Sequence, residues 1–390
     1  MTFGSTAINK NFLAGILFLT IFMNGFEAGG YQACLLKIGQ EFDLSASSMG
    51  LLASVQLFAI LLAPLLFGAL ADWIGKRKVM AAFLLLRLGA CIVLLTTLAA
   101  RSFVLGIFVI GLSISILQAV AIAGLEDAYP LSGRKKLGII TSMYALGAVL
   151  APLFCGVLLE SGFSWRILFI LVGSIAALLT AALCFVDFTP KENGQLHKEE
   201  NSPSGKMLLS GILLLCFIMF VYVGVENGVA FFLTSFVQIE LHGGADSYLA
   251  LSMFWLAMIP SRLLCGAWHE KRASVLLTAA AGVSILAFLL SIVQDAGLAV
   301  LLSFVMGFFS GAVYPSVLNY SVDFASGRTA TATGLITAAT GLGGAVVAAA
   351  FGWVADYHGM RTAFDLLGAF MAIDIAAVGL LIYITRRRRK

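Results

Sequence analysis

The second half of this chain repeats the first at an offset of about 195–199 residues, acidic residues included. Gly25-Phe26-Glu27-Ala28-Gly29 returns as Gly224-Val225-Glu226-Asn227-Gly228, and Ser132-Gly133-Arg134 returns as Ser326-Gly327-Arg328. Trp165-Arg166-Ile167-Leu168-Phe169 returns, less faithfully, as Met360-Arg361-Thr362-Ala363-Phe364. The chain is therefore a duplicated unit. With 61% hydrophobic and only 11% charged residues it cannot cover a soluble surface, so the duplicated unit belongs in a membrane.

About 20 apolar residues cross roughly 30 Å of hydrocarbon as a helix. Such stretches fall at 11–35, 48–70, 79–100, 103–128, 138–160, 165–187, 207–236, 248–269, 274–293, 298–322, 330–354 and 362–385. The expected fold is an all-α membrane protein, twelve transmembrane helices in two pseudo-symmetric six-helix bundles, 1–187 and 207–390. Residues 188–206 are polar and rich in Pro, Gly and Ser, the composition of a linker. The first stretch lacks the short apolar core and cleavage site of a signal peptide and is read as retained. All six cysteines lie in apolar stretches without metal-like spacing, which makes them packing residues.

Orientation follows from the basic residues, because cytoplasmic loops retain Lys and Arg. With the N-terminus inside, 18 of the 24 fall on the cytoplasmic side, among them Lys76, Arg77, Lys78, Arg134, Lys135, Lys136 and the terminal run Arg386 to Lys390. Only Lys37, Arg101, Arg166 and Arg361 lie opposite, while Arg87 and Arg262 sit within the spans. Both termini are expected to be cytoplasmic. The terminal run suits a topology anchor or a contact with anionic lipid.

Between spans two and three stands Gly68-Ala69-Leu70-Ala71-Asp72-Trp73-Ile74-Gly75-Lys76-Arg77-Lys78. It resembles the G-x-L-a-D-r-x-G-r-[KR]-[RK] signature of the major facilitator superfamily. A degenerate copy, Gly266-Ala267-Trp268-His269-Glu270-Lys271-Arg272, follows span eight. Gly68 suits close helix approach and Gly75 a tight turn. Asp72 can pair with a basic residue or a helix N-terminus and latch one conformation, with Lys76, Arg77 and Arg262 as further gating candidates.

Tyr222 to Glu226, Phe254 to Ala257 with Ser261-Arg262, Ala145 to Leu153, and Gly334 to Gly344 with Gly352-Trp353-Val354-Ala355-Asp356 resemble the fucose-permease-like branch of that superfamily. The resemblance implies proton-coupled sugar transport with an acid in span one and another in span four, the positions of Glu27 and Glu126. Span four here reads Glu126-Asp127-Ala128-Tyr129-Pro130 without the branch's Asn. Phe232 stands where a Trp is common. The resemblance also implies a bacterial inner-membrane setting.

A carboxylate in mid-membrane costs several kcal/mol unless it meets a partner or water, or is protonated. Glu27, Glu126, Asp127 and Glu226 therefore need explanation. Gly25 and Gly29 lie about 40° apart around their helix and Glu27 about 200° from Gly25. The glycines can pack on a neighbouring helix while Glu27 points elsewhere, toward a central cavity, and Glu226 repeats the arrangement. Glu126 lies only eight residues before Arg134, so one compact site holding all three glutamates is not expected. Arg87 and Arg262 are natural counter-ions, because Arg stays charged when buried. Asn24, Tyr31, Gln118, Tyr144, Tyr222, Asn227, Phe232, Trp255, Tyr314 and Asn319 complete the candidate cavity lining.

The sequence holds no P-loop, metal-ligand cluster or nucleophile with a nearby base, so no enzyme activity, cofactor or nucleic-acid partner is expected. The expected partners are a small-molecule substrate, protons and membrane lipid, and no oligomer is implied. The reading is a secondary transporter working by alternating access. Its first form is proton-coupled symport of a sugar or similar polar solute, and its second proton-coupled efflux of a metabolite or amphipathic compound. A non-transporting receptor or scaffold is the third, and it would bind ligand without flux.

Overall fold

The computed structural model describes residues 3–67, 70–129, 133–186, 208–267, 272–325 and 329–388. These residues are almost wholly helical, as hydrocarbon requires: with no water to satisfy the backbone, each segment must close its own hydrogen bonds. The first half contributes α1 (Phe3–Glu41), α2 (Ala46–Phe67), α3 (Leu70–Ile74), α4 (Lys76–Thr96), α5 (Ala100–Ala128), α6 (Gly133–Glu160) and α7 (Arg166–Leu183). The second contributes α8 (Leu209–Glu240), α9 (Gly244–Ala267), α10 (Arg272–Ile292), α11 (Ala296–Gly311), α12 (Val313–Ala325), α13 (Thr329–His358) and α14 (Met360–Arg388). Among the described residues, twelve segments are long and apolar enough to cross a membrane.

Two details depart from the expected spans, each with a local cause. The stretch at 298–322 is broken into α11 and α12 at Ala312. Pro315 has no N–H to give, and its ring crowds the carbonyl four residues earlier, at Gly311. The basic signature is helical from Leu70 to Ile74, and the chain turns at Gly75, whose φ of 92° is open to glycine at no steric cost. Cys184 also departs from expectation, lying exposed just beyond α7 rather than packed inside it.

The chain forms two compact units, Met1–Ile38 with Val55–Gln195, and Gly39–Ser54 with Leu196–Lys390. In the first unit α1 crosses α6 at backbone contact distance. A Cβ at Gly25 would collide with the Tyr144 carbonyl, and one at Gly29 would stand 2.5 Å from the carbonyl oxygen of Ala148. In the second unit α8 meets α13 in the same way, with Gly224 against Val347 and Gly343 against the Phe220 carbonyl. The glycine faces of spans one and seven therefore pack on neighbouring helices, as their spacing predicts, which leaves the glutamate between each glycine pair pointing elsewhere.

The expected linker at 188–206, Gly68, the repeat at 326–328 and Trp268 to Lys271 of the degenerate signature lie outside the described residues, as do the side chains of Asp72 and Cys265.

Candidate functional site

In the first unit Glu27 is fully buried, and so is Arg87 of α4. The Gln56 amide nitrogen, from α2, donates to Oε1 of Glu27 at 2.9 Å, while Oε2 is buried without a partner. Arg87 does not form the ion pair expected of it. Its Nη1 donates to Oδ1 of Asn24 at 2.7 Å and its Nε to the Ser113 hydroxyl at 2.9 Å, leaving Nη2 unpartnered. Asn24 in turn donates to the Ile114 carbonyl at 3.0 Å. An asparagine can serve both because it carries a donor and an acceptor on one side chain. The result is a buried polar layer drawn from α1, α2, α4 and α5, in which an acid and a guanidinium stand within electrostatic reach of one another, each with one atom free.

The second unit holds a smaller cluster with different partners. The Tyr222 hydroxyl lies against the Glu226 carboxylate and 2.7 Å from the Ser310 carbonyl oxygen. A phenol has one proton to donate, so once it is given to Ser310 the contact with Glu226 is satisfied by a proton on the carboxyl. The cluster can thus hold a proton. Arg262, exposed at the side-chain level, lies within electrostatic reach of both groups and donates to Sδ of Met258 at 3.8 Å. At the offset that aligns Glu27 with Glu226, Tyr222 corresponds to Met23. The first unit lacks that phenol and uses Gln56 instead.

The remaining candidates are dispersed. Tyr31 is fully buried against Phe103, Tyr144 is half-buried on α6, and Gln118 is exposed. Asn227 is spent on its own helix, donating to the Val223 carbonyl at 2.9 Å. Phe232 is buried and stacked on Phe351 at 4.5 Å, a packing role. Trp255, Tyr314 and Asn319 are half-buried, and the Asn319 carbonyl accepts from Arg272 at 2.9 Å. Glu126 is exposed, whereas its neighbour Asp127 pairs with Lys76 of the signature, which also reaches the Ala123 carbonyl at 3.3 Å. Arg77 donates to the Cys184 carbonyl at 3.3 Å. Lys76 and Arg77 thus tie the start of α4 to the ends of α5 and α7.

Three buried polar residues are absent from the sequence-based candidates, two of them in the layer around Glu27 and Arg87. Gln56 and Ser113 resemble ordinary polar residues of a span, and only helix packing brings them to Glu27 and Arg87. Asp374 on α14 is fully buried with neither carboxyl oxygen partnered. A lone acid in an apolar stretch is a signal that the sequence does carry.

Among curated proteins, the multidrug resistance protein MdtM of Salmonella typhimurium is 30% identical over 154 residues, 39% of this chain and 36% of that protein. The facilitated glucose transporter member 12 of solute carrier family 2 from Xenopus laevis is 24% identical over 189 residues, 48% of this chain and 32% of that protein. The chain thus spans about a third of the length of these relatives. Among solved structures, a bacterial homologue of the lysosomal transporter Spinster, inward-facing and unoccupied, superposes with a TM-score of 0.79 at 16% identity, covering 96% of this chain and 97% of that one. The Escherichia coli fucose:proton symporter FucP shares the fold at a TM-score of 0.60 and 17% identity, covering 97% and 99%. The family model described as the Major Facilitator Superfamily matches residues 17–298 and 271–390. With that match across nearly the whole chain, and with twelve helical segments of membrane-spanning length among the described residues, the protein belongs to the Major Facilitator Superfamily.

Proposed function

We propose that the protein is a proton-coupled secondary transporter that carries a sugar or similar small polar solute across the cell membrane by alternating access of its two halves. The observation that carries this reading is Glu27, a carboxyl midway along a membrane-spanning helix, wholly buried, bound by Gln56 on one oxygen and unpartnered on the other. Such a group is costly as a bare anion in a membrane interior. It suits a proton that is taken up on one side and released on the other. Glu226, with Tyr222 beside it, is the second proton-holding group, and Glu126 the third candidate for coupling.

The basic-residue count supports a bundle with both termini and residues 188–206 at the cytoplasmic face, dividing the chain into 1–187 and 207–390. Gly68, Asp72, Gly75, Lys76, Arg77 and Arg262 then serve gating at that face. Efflux of an amphipathic compound is the second reading, favoured by the 30% identity with the multidrug resistance protein.

Purified protein in liposomes, loaded with an imposed pH gradient and offered monosaccharides, nucleosides and amphipathic cations in turn, tests both. Accumulation of a polar solute with the proton gradient supports the first reading, and gradient-driven extrusion of a cation the second. Folded protein that moves neither faster in a pH gradient than without one overturns proton coupling.

A further inference from the structure

The first four N–H groups of a helix have no partner within it and must be satisfied from outside. At the start of α2, three of them find such partners. Ser45 takes one, its hydroxyl accepting from Ser48 N at 3.3 Å, while its carbonyl accepts the first bond of the helix proper, from Met49 N at 3.0 Å. The other two are taken by a residue more than three hundred positions away, the carboxylate of Asp356 near the end of α13. Its Oδ1 accepts from Ala46 N at 2.7 Å and its Oδ2 from Ser47 N at 2.9 Å. The contact is charge-assisted and bidentate, and the negative carboxylate stands at the positive end of the α2 dipole.

Behind that cap the two helices close along a seam of small residues. A Cβ at Gly352 would collide with the Ala46 carbonyl, and one at Gly50 would stand 2.5 Å from the Ala348 carbonyl oxygen. The Ser54 hydroxyl crosses to the Ala345 carbonyl at 2.5 Å. Residues 46, 50 and 54 of α2 thus meet 356, 352, 348 and 345 of α13 in antiparallel order. This is why Gly39–Ser54 belongs to the second unit while the rest of α2 belongs to the first. The unit boundary falls inside one continuous helix.

Gly352-Trp353-Val354-Ala355-Asp356 also repeats the pattern of Gly68-Ala69-Leu70-Ala71-Asp72, with a glycine, an alanine and an aspartate at the same spacing at the end of a span. The two stand at opposite faces, Asp72 beyond the end of α2 and Asp356 at the face where α2 begins.

We propose that Asp356 is a latch on the face away from the termini, holding the start of α2 against α13 and releasing it when that face opens. It works as a counterpart of the latch assigned to Asp72, and α2 is the element both act on. The proposal goes beyond the proton-coupling role of Glu27 and does not depend on it. Two hydrogen bonds at a helix end suit a latch better than a packed apolar contact, since water can replace them as the seam parts and the interaction breaks at modest cost.

The test is a distance distribution by double electron–electron resonance between nitroxides at Leu51→Cys and Tyr357→Cys, both exposed positions, in a protein whose other cysteines are replaced. In the wild-type sequence the short distance should dominate. Asp356→Ala should raise the ratio of a second, longer distance to the short one by about tenfold, and Asp356→Asn, which keeps one acceptor, by less. Gly352→Ala should raise it by wedging the seam with the carboxylate in place, and Asp72→Asn should lower it. Folding is checked by an unchanged elution profile. A single peak that merely broadens in Asp356→Ala is local fraying of α2 and overturns the latch, as does an unchanged distribution. Loss of pH-driven flux in Glu27→Gln with the Asp356 response intact would separate the two proposals.

Discussion

The side-chain amide of Gln56 donates to the carboxylate of Glu27 at 2.9 Å, with both groups buried and on different helices. A hydrogen bond to a charged or charge-sharing group in an interior contributes about 1.5–3 kcal/mol. It should appear as coupling: in a double-mutant cycle, Gln56→Leu and Glu27→Leu should differ from additivity by about 1–3 kcal/mol in resistance to denaturation by dodecyl sulfate. Additivity within about 0.5 kcal/mol would mean the two side chains act independently.

Glycines in one helix should respond with opposite sign. A Cβ at Gly25 meets the backbone of α6, which cannot yield without parting the helices, so Gly25→Ala should destabilise by about 1–3 kcal/mol. Gly15, in the same helix, has open space within 4 Å of where a methyl would stand, so Gly15→Ala should be neutral or stabilise by up to about 1 kcal/mol through helix propensity. Thermal unfolding in detergent reads both, and equal effects would deny the close crossing.

Much of this architecture is legible in the residue order. The spans follow from hydropathy because hydrocarbon accepts little besides helices, and the glycine faces follow from the helical repeat. The partners of the polar residues do not. Which atom Arg87 reaches depends on the tilt and rotation of α1, α4 and α5, and these bring Asn24 and Ser113, not Glu27, into hydrogen-bond distance. Residue type alone points to a carboxylate. For Gln118, Asn227 and Phe232 residue type is equally silent about surroundings: the first lies exposed, the second is bonded to its own helix and the third is packed on Phe351. The seam of α2 on α13 is not legible either, because a one-residue-in-four spacing of Ala, Gly and Ser is common in any membrane helix, and nothing in it points to its partner.

Asp374 is a buried acid without a partner on either oxygen. Replacing a buried, unsatisfied polar group by an apolar one of similar reach removes a desolvation cost of about 1–3 kcal/mol. Asp374→Val should therefore raise the melting temperature, with Asp374→Asn near neutral. A fall in stability for Val alongside wild-type stability for Asn would show that the oxygens are engaged.

The proposed topology places residues 188–206 at the cytoplasmic face. A single cysteine at Ser202→Cys should react with a membrane-impermeant maleimide only in inverted vesicles or broken cells. Reaction in intact cells would reverse the orientation and with it the faces assigned to Asp72 and Asp356.

The sharpest expectation concerns Glu27 and Glu226 together, because their surroundings differ where their helix positions agree. Glu27 is fully enclosed and shares a layer with Arg87, whereas Glu226 is half-buried and leans on Tyr222 of its own helix. Gln mimics a protonated Glu in size and neutrality. Glu27→Gln should therefore still bind and exchange substrate while losing accumulation driven by a pH gradient, because exchange needs no net proton movement. Glu226→Gln keeps both a donor and an acceptor facing the Tyr222 hydroxyl and should preserve the cluster. If the repeat shares the coupling role, it too loses gradient-driven accumulation; if it serves substrate binding, affinity falls and the gradient dependence survives. Counterflow and pH-driven uptake, measured on the same liposomes, distinguish these outcomes. Full gradient-driven accumulation by Glu27→Gln would reduce that residue to a structural hydrogen-bonding group.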